Sequence, residues 1–342
     1  MMEPLIKETL EPSGTYMSRA ATMADIPELV DLANERSRGL YGENDETLGN
    51  WTAAWQSPGL DLERDTRVLV DAQGKIVAEA ELWDIQPLHV WKHMYWCVRR
   101  GYETPEIGGW ALGWLEERAR ERINLAPEGA RVVISTRIPE IDRFWAEVCL
   151  AGGCQPVRRM DRMRMALPEA PGPLTAPDGI SIHAVRDEDE LNQFYFALWE
   201  AFEDHWGHVP EPFENYADRM RVFVENDPDM GPAMCLLALS DGQPAGAALC
   251  RRDAFGESGL GWVNMLGVRR DWRKRGLGKA LLLHAFNLLQ SIGMCRVGLD
   301  VDSESLTGAP RLYQSVGLST VRCSITYLKE LRPGADFATQ HV

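Results

Sequence analysis

The chain has 342 residues, with 36 basic and 51 acidic side chains and a formal net charge of −15 at pH 7. This acidic balance argues against general nucleic-acid binding, which needs basic surface, and is compatible with a cationic substrate. The length predicts two domains of roughly 150 residues each, and 45% hydrophobic residues is enough for each domain to have its own core.

The first half of the chain predicts alternating helices and strands. "TMADIPELVDL" from Thr22 starts like a capped helix, and "LVDAQGKIVAEAELW" from Leu69 is typical of two strands around a glycine-containing turn. "VRRGYETPEIGGWALGWL" from Val98 and "DRFWAEVCLAGG" from Asp142 follow. The segment "LPEAPGPLTAPDG" (167–179) is rich in proline and glycine and has no hydrophobic period, so it is typical of a linker between domains.

The second half repeats these landmarks in the same order. "AVRDEDELNQF" from Ala184, "LALSDGQPAGAALC" from Leu237, "VRRDWRKRGLGKALL" from Val268 and "PRLYQSVGL" from Pro310 match the four earlier segments. Such a recurrence indicates internal duplication. We therefore predict a mixed α/β fold, with a degenerate first domain over residues 1–168, a linker over 169–178 and a catalytic second domain over 179–342.

The sequence of the second half also predicts the order of its strands and helices. A strand at "ISIHAV" precedes helices at "DEDELNQFYFALWEAF" and "EPFENYADRMRVFVEN". Three strands follow, at "AMCLLALS", "PAGAALCRR" and "LGWVNMLGV", with an Asp241-Gly242 turn between the first two. A helix, the strand "CRVGLDV", another helix and a last strand complete the order.

The strand that ends at Val268 leads into a basic, glycine-containing segment and then an apolar helix. This basic loop (269–279) contains Arg273-Lys274-Arg275-Gly276-Leu277-Gly278-Lys279. Glycines at a helix start let backbone N–H groups approach an anion, and the helix dipole adds about half a positive charge there. The loop is neither a Rossmann nor a Walker motif. It predicts a phosphate-binding site.

These residues resemble a known family. Arg273 to Gly278 is similar to the Arg/Gln-x-x-Gly-x-Gly/Ala signature of the GNAT acetyltransferase superfamily, and "SLTGAPRLYQSVGL" resembles that family's second motif. The resemblance covers residues 180–331 well and 16–167 weakly. Two tandem units with a degenerate first copy resemble the mycothiol synthase-like, two-domain acetyltransferases. This resemblance implies two tandem GNAT-like acyl-CoA N-acyltransferase domains and acetyl-CoA as co-substrate. Ser305 and Leu318 stand where the second motif usually has Asn and Phe.

The resemblance also implies site residues. Acetyl-CoA would contact the end of the strand, the basic loop and the second motif, at Leu266, Gly267, Val268, Arg273, Lys274, Arg275, Gly276, Leu277, Gly278, Lys279 and Ser305. The N–H of Leu266 would polarise the thioester carbonyl. Tyr313 takes the general-acid position and would protonate the departing thiolate.

The general base is less defined, because Asn264 stands on the strand where many family members have Glu. Glu203 and Asp204 on the first helix of the second half are candidate catalytic carboxylates. Glu257, Asp300, Asp302 and a water molecule are alternatives. The segment 201–216 is predicted to line the pocket for the acceptor amine. A metal site at Asp204, His205 and His208 is a minor alternative, and no metal is expected.

In the first half the corresponding loop has lost its basic glycine pattern, and Trp145 takes the place of the tyrosine. We therefore predict one working site, in an N-acetyltransferase that modifies a primary amine of a small cationic substrate. A non-catalytic acyl-CoA-binding or sensing protein is the alternative, with mycothiol synthesis as a narrower one. We expect no nucleic-acid or membrane partner and leave a homodimer open. Seven scattered cysteines without a Cys-x-x-Cys motif, and no signal peptide, predict a cytoplasmic location.

Overall fold

The computed structural model describes residues 16–168, 175–305 and 308–339. Two compact units divide the chain. Unit 1 contains residues 1–159 and 324–338, and unit 2 contains residues 160–323 and 339–342. Each unit has a mixed sheet covered by helices, which confirms the predicted α/β class. Most of the predicted linker lies outside the described residues, and the predicted boundaries of independently folding domains stay a prediction.

Unit 1 begins with a strand and three helices, followed by three antiparallel strands, a long helix, a strand and a short helix. These elements are β1 (Tyr16–Arg19), α1 (Ile26–Tyr41), α2 (Leu48–Trp55), α3 (Leu62–Asp65), β2 (Thr66–Asp71), β3 (Ile76–Trp83), β4 (Trp91–Val98), α4 (Pro105–Glu121), β5 (Val132–Pro139) and α5 (Arg143–Ala151).

Unit 2 repeats this order, with two helices instead of three after its first strand. The elements from residue 155 onward are β6 (Gln155–Ala166), β7 (Ile180–Ala184), α6 (Glu188–Phe202), α7 (Phe213–Asn226), β8 (Cys235–Ser240), β9 (Gln243–Arg251), β10 (Leu260–Val268), α8 (Leu277–Ser291), β11 (Arg296–Asp302), α9 (Ala309–Ser315) and β12 (Ser319–Arg332). The sequence passes from one unit to the other within β6 and again within β12. The predicted strands and helices of this half are all present.

Each unit completes its sheet with a strand from the other half of the sequence. In unit 1 the strand order is β1-β2-β3-β4-β5-β12, where Ser324–Arg332 of β12 pairs antiparallel with β5. In unit 2 the order is β6-β11-β10-β9-β8-β7, where Met160–Ala166 of β6 pairs antiparallel with β11. The compact units are therefore discontinuous in sequence.

The two sheets share one topological feature that positions the candidate site. In each sheet a single strand pair is parallel, β4 with β5 in unit 1 and β10 with β11 in unit 2. Helix α4 packs on one face of the first sheet, and α1 with α2 covers the other. In unit 2 the apolar residues of α8 occupy one face and those of α6 and α7 the other. Each parallel pair thus lies in a sheet buried on both faces.

Candidate functional site

The parallel strands of unit 2 separate along their length. β10 pairs with β11 only from Leu260 to Trp262, opposite Arg296 to Gly298. On its other side β10 stays paired with β9 as far as Val268. Residues 263–268 therefore have one edge without a strand partner in the described sheet. Leu266, Gly267 and Val268, predicted to contact acetyl-CoA, all lie on this free edge, which is available to pair with an extended ligand.

A β-bulge accompanies the separation. The register of β10 against β9 shifts between Val263 and Met265, so Asn264 is the extra residue. Bulges bend a strand and aim a side chain, and they are frequent beside functional sites. The side-chain Oδ1 of Asn264 is buried without a hydrogen-bond partner. A buried acceptor without a donor is costly and suits a group that a ligand completes.

The basic loop leads from the end of β10 into the start of α8. Gly276 is the N-cap of α8 in a left-handed conformation with φ of 83°, and no side chain caps the helix. Lys274 also has positive φ, at 60°. The first turn of α8 thus presents the N–H groups of Leu277, Gly278 and Lys279 without a capping side chain, as an anion site requires.

The cations of the loop divide into two sets. The arginines nearest β10 are tied to α6 and the segment after it: Arg269 pairs with Glu200, and Arg270 and Arg273 with Asp204. Lys274, Arg275 and Lys279 are exposed, and their side chains make no hydrogen bond or ion pair within the part of the chain that the structure describes. The first set fixes the loop, and the second is available for a ligand.

Close packing brings the predicted motif residues together. A Cβ added to Gly278 would lie 3.4 Å from the side chain of Leu312 in α9 and 3.8 Å from Val268 at the end of β10. At Gly267 a Cβ would lie 2.7 Å from Ala201 in α6. A side chain at position 267 would therefore clash with α6, which explains why this position is glycine. Ser305 donates its backbone N–H to Asp302 just after β11.

Tyr313 lies in α9 beside Leu312 and is 8% exposed. Burial raises the pKa of its phenol to about 12. The hydroxyl therefore stays protonated across the physiological pH range, as a proton donor must. Tyr313 belongs to the core cluster against which Leu266 and Val268 of β10 pack.

The candidate carboxylates differ in their surroundings. Asp204 is 6% exposed, and hydrogen bonds from Arg270 and Arg273 lower its pKa to about 2. Such a carboxylate is a weak base, which favours a positioning role. Glu203 is 34% exposed, and its Oε2 lies 3.8 Å from Nη1 of Arg270. Its predicted role stays a prediction.

The alternative bases lie on or before β11. Asp300 accepts a hydrogen bond of 3.1 Å from Nε of Arg162, and Glu257 pairs with Arg296 and lies 3.5 Å from Arg164. Asp302 accepts the N–H of Glu304. These contacts of the three carboxylates are all to residues outside the basic loop. Asp204, in contrast, pairs with Arg270 and Arg273 of that loop.

The segment after α6, predicted to line an acceptor pocket, is fixed by the C-terminal residues of unit 2. Gly207 donates its N–H to Thr339, and Thr339 donates its N–H to His208, each over 2.8 Å. The ring of His205 stacks on Phe202, and burial lowers the pKa values of His205 and His208. Both histidines are therefore neutral near pH 7. Among the described residues no group of three metal-ligating side chains is present.

The equivalent region of unit 1 is built differently. β4 also leaves β5 after His93, but its register with β3 is continuous, without a bulge. The indole rings of Trp96 and Trp145 contact one another with centroids 4.3 Å apart, and both are buried. At the start of α4, the Thr104 hydroxyl accepts the N–H of Ile107, and Pro105 has no N–H. The start of α4 is therefore capped from within the chain, unlike the start of α8.

Sequence reasoning missed two parts of the site. It gave Asn264 no role, because the bulge is visible only in the pairing with β9. It also missed that Arg269, Arg270 and Arg273 hold the loop to α6 and its C-terminal end, since these contacts join residues far apart in sequence. Acidic residues at and just after the end of α6, together with arginines just after β10, are the sequence signal that points to these contacts.

Comparisons with known proteins agree on the family. Residues 191–318 match the model of the Acetyltransferase (GNAT) family. A GCN5-related N-acetyltransferase from Sphaerobacter thermophilus has 30% sequence identity and a TM-score of 0.77, over 94% of this chain and 97% of that one. A tandem GNAT protein from the clavulanic acid biosynthesis pathway has a TM-score of 0.67 at 12% identity, over 94% and 100% of the two chains, which shows a shared fold.

Curated relatives give the same family. A mycothiol acetyltransferase of Nocardiopsis dassonvillei is 29% identical over 59% of this chain and 65% of its own length. One of Renibacterium salmoninarum is 30% identical over 49% of each chain. The chain thus spans less than two thirds of either relative. Within the described residues, no helix combines the length and hydropathy needed to span a bilayer.

Proposed function

The chain belongs to the GNAT family of N-acetyltransferases, and on this premise we propose that unit 2 transfers the acetyl group of acetyl-CoA to a primary amine of a small cationic substrate. The observation that carries the proposal is the free edge of β10 running into the uncapped start of α8. An acyl-CoA has an amide-containing arm and a pyrophosphate, which match an open strand edge and a helix N-terminus in that order.

In the proposed complex, the N–H groups of Leu277, Gly278 and Lys279 bind the pyrophosphate. Lys274 and Arg275 contribute charge from the exposed side of the loop. The pantetheine arm pairs with residues 265–268, and the N–H of Leu266 donates to the thioester oxygen. Hydrogen bonds to a developing oxyanion stabilise the transition state more than the ground state.

The chemistry then requires two proton movements. The neutral amine attacks the carbonyl carbon, the C–S bond breaks, and Tyr313 gives its proton to the thiolate. The amine's proton leaves to solvent, and Asn264 accepts a hydrogen bond from the amine through its unpartnered Oδ1. Glu203, whose Oε2 lies 3.8 Å from Nη1 of Arg270, is the proposed final acceptor of that proton from solvent.

The acceptor is proposed to enter beside the segment 203–212. Its acidic and aromatic side chains suit a cation, and Trp199 fixes this segment by donating its indole N–H to the backbone of Glu211 over 3.0 Å. The name of the curated relatives, mycothiol acetyltransferase, favours mycothiol acetylation as a narrower alternative. The alternative of an acyl-CoA sensor is favoured by one observation, the absence of a carboxylate at position 264.

The test is acetyl-CoA turnover against a panel of cationic and neutral amines, read as free thiol release. We expect turnover with at least one cationic amine and binding of one acetyl-CoA per chain by calorimetry. A protein that binds acetyl-CoA but acetylates no amine in the panel would support the sensor. Two comparable acetyl-CoA sites would contradict the assignment to unit 2.

A charge-reversal pair locates the site. Lys274→Glu with Arg275→Glu should weaken acetyl-CoA binding roughly 10- to 100-fold at low salt, and the loss should shrink as salt screens the contacts. The matched control is Arg64→Glu with Arg143→Glu, which makes the same change in net charge at exposed positions of unit 1. Equal losses in the two variants would show a general charge effect and overturn the assignment.

A further inference from the structure

Two carboxylates are buried in the sheet of unit 1. Glu79 and Glu81 of β3 are 1% and 3% exposed. Through the pairing of β3 with β4 and of β9 with β10, their counterparts in unit 2 are Ala247 and Leu249. Both counterparts belong to the apolar cluster between the sheet and α6 with α7. Burying a carboxylate is costly, so unit 1 departs from the apolar pattern at two adjacent positions of one face.

Aromatic side chains surround this pair. Glu79 and Glu81 alternate with Ala78 and Ala80, which pack in the cluster that contains the α4 side chains, so the carboxylates face α1 and α2. Trp55 and Trp83 donate their indole N–H groups to the two oxygens of Glu81 over 2.8 and 2.9 Å. Glu81 therefore lies among indole rings, with Glu79 two residues earlier on the same face of β3.

Two further aromatic side chains, Tyr95 and Trp51, lie near these indole rings. Tyr95 stands opposite Glu81 on β4, and its ring meets the edge of Trp51 with centroids 5.6 Å apart. Trp51 also contacts Trp55 at 6.3 Å. Electron-rich ring faces attract cations, and the attraction grows when water is excluded.

The chain itself does not satisfy all the hydrogen-bonding groups at this pair of carboxylates. Both carboxylate oxygens of Glu79 are buried without a hydrogen-bond partner. The indole N–H of Trp51 is buried near Glu81 without reaching hydrogen-bond geometry. No ion pair joins Glu79 or Glu81 to a lysine or arginine among the described residues. Burial and the neighbouring Glu81 raise the pKa of Glu79 well above its usual range, as expected where no cation is supplied.

We propose that unit 1 binds a small primary ammonium ion, with Glu79 and Glu81 as counter-charges and the rings of Trp51, Trp55, Trp83 and Tyr95 around it. A primary ammonium has three N–H donors on one compact charge, so it can satisfy both oxygens of Glu79. A quaternary ammonium has the charge without the donors, and a neutral alcohol has a donor without the charge. This site is separate from the acetyl-transfer site proposed for unit 2.

The experiment compares three probes by calorimetry and tryptophan fluorescence: propylammonium, tetramethylammonium and propan-1-ol. Propylammonium should bind saturably in unit 1 and change the indole emission, tetramethylammonium should bind at least tenfold more weakly, and propan-1-ol should not bind. Equal binding of propylammonium and propan-1-ol, or no saturable binding of propylammonium, overturns the proposal.

Variants assign the binding to β3. Glu79→Gln with Glu81→Gln keeps the shape of both side chains and should weaken propylammonium binding at least tenfold. The matched control, Glu63→Gln with Glu117→Gln, removes two exposed acidic groups from the same unit and should leave binding unchanged. Circular dichroism establishes that each variant is folded.

Should the double variant fail to fold, Glu79→Gln alone, which leaves the indole bonds of Glu81 in place, gives the same comparison. A folded variant lacking Glu79 and Glu81 that keeps the parental stoichiometry and affinity for propylammonium overturns the site. Acetyl-CoA turnover, measured in parallel, separates this outcome from a failure of the acetyl-transfer proposal, because the two sites lie in different units.

Discussion

Units 1 and 2 share one strand order but differ by a single residue at the point where their parallel strands separate. Trp91–His93 of β4 and Leu260–Trp262 of β10 occupy equivalent positions beside β5 and β11. Beyond them β10 contains the bulge at Asn264, whereas β4 continues in register. One inserted residue thus bends β10 beside its unpaired edge, and the unit without it has two indole rings in contact at the equivalent place.

The same contrast appears at the helix that follows each strand. A threonine hydroxyl and a proline satisfy the start of α4 from within the chain, whereas a left-handed glycine leaves the start of α8 uncapped. Internal capping stabilises a helix, and an uncapped start stabilises a bound anion instead. The duplicated fold therefore has a helix start capped from within the chain in unit 1 and an uncapped one in unit 2.

The largest expected effect concerns Tyr313, whose counterpart in unit 1 is Trp145. Tyr313→Phe keeps the ring and removes the proton, so kcat and kcat/KM should both fall roughly 10²- to 10⁴-fold. Acetyl-CoA affinity should change little. Steady-state kinetics and calorimetry measure both quantities.

The matched control for that prediction is Tyr327→Phe, the same chemical change at a buried position of unit 1. It should leave the rate unchanged. A Tyr313→Phe protein that binds acetyl-CoA and works at the parental rate would remove the acid role and leave the sensor alternative stronger.

Much of unit 2 could be predicted from the sequence because its signals are local. Alternation predicts β11, apolar periodicity predicts α8, and glycine after basic residues predicts the phosphate-binding loop. The sequence could not predict that β6 completes the sheet of unit 2 and β12 that of unit 1. Strand patterns show that a segment forms a strand, but they do not show which strand it pairs with. The burial of Glu79 was likewise hidden, since "IVAEAELW" has the polar alternation of a strand with one face in solvent.

The next prediction uses Glu81, whose counterpart is Leu249. Burial raises the pKa of Glu81 from 4.5 to about 7. The folded state therefore binds this proton more tightly than the unfolded state, and the free energy of unfolding should fall as pH rises from about 4.5 to about 7. The loss is roughly 3 kcal/mol at about 1.4 kcal/mol per pKa unit.

Denaturant titrations at several pH values, without added amine, measure that loss. Glu81→Gln should reduce the dependence over this range, because its amide does not titrate, while Glu79, whose pKa burial also raises, keeps its own share. Glu63→Gln, at an exposed position, should leave the slope as it is. An unchanged slope in Glu81→Gln would mean that another group, such as Glu79, carries the whole dependence.

The smallest expected effect tests the two helix starts. Thr104→Ala removes the hydroxyl that accepts the Ile107 N–H, so the free energy of unfolding should fall by about 1 kcal/mol with acetyl-CoA affinity unchanged. Gly276→Ala places a Cβ on a residue with φ of 83°, which also costs about 1 kcal/mol, but here acetyl-CoA affinity should fall as well. Chemical denaturation and calorimetry on both variants separate the two effects. Equal changes in acetyl-CoA affinity for the two variants would show that the start of α8 has no special part in binding, because a purely structural loss would act on both helices alike.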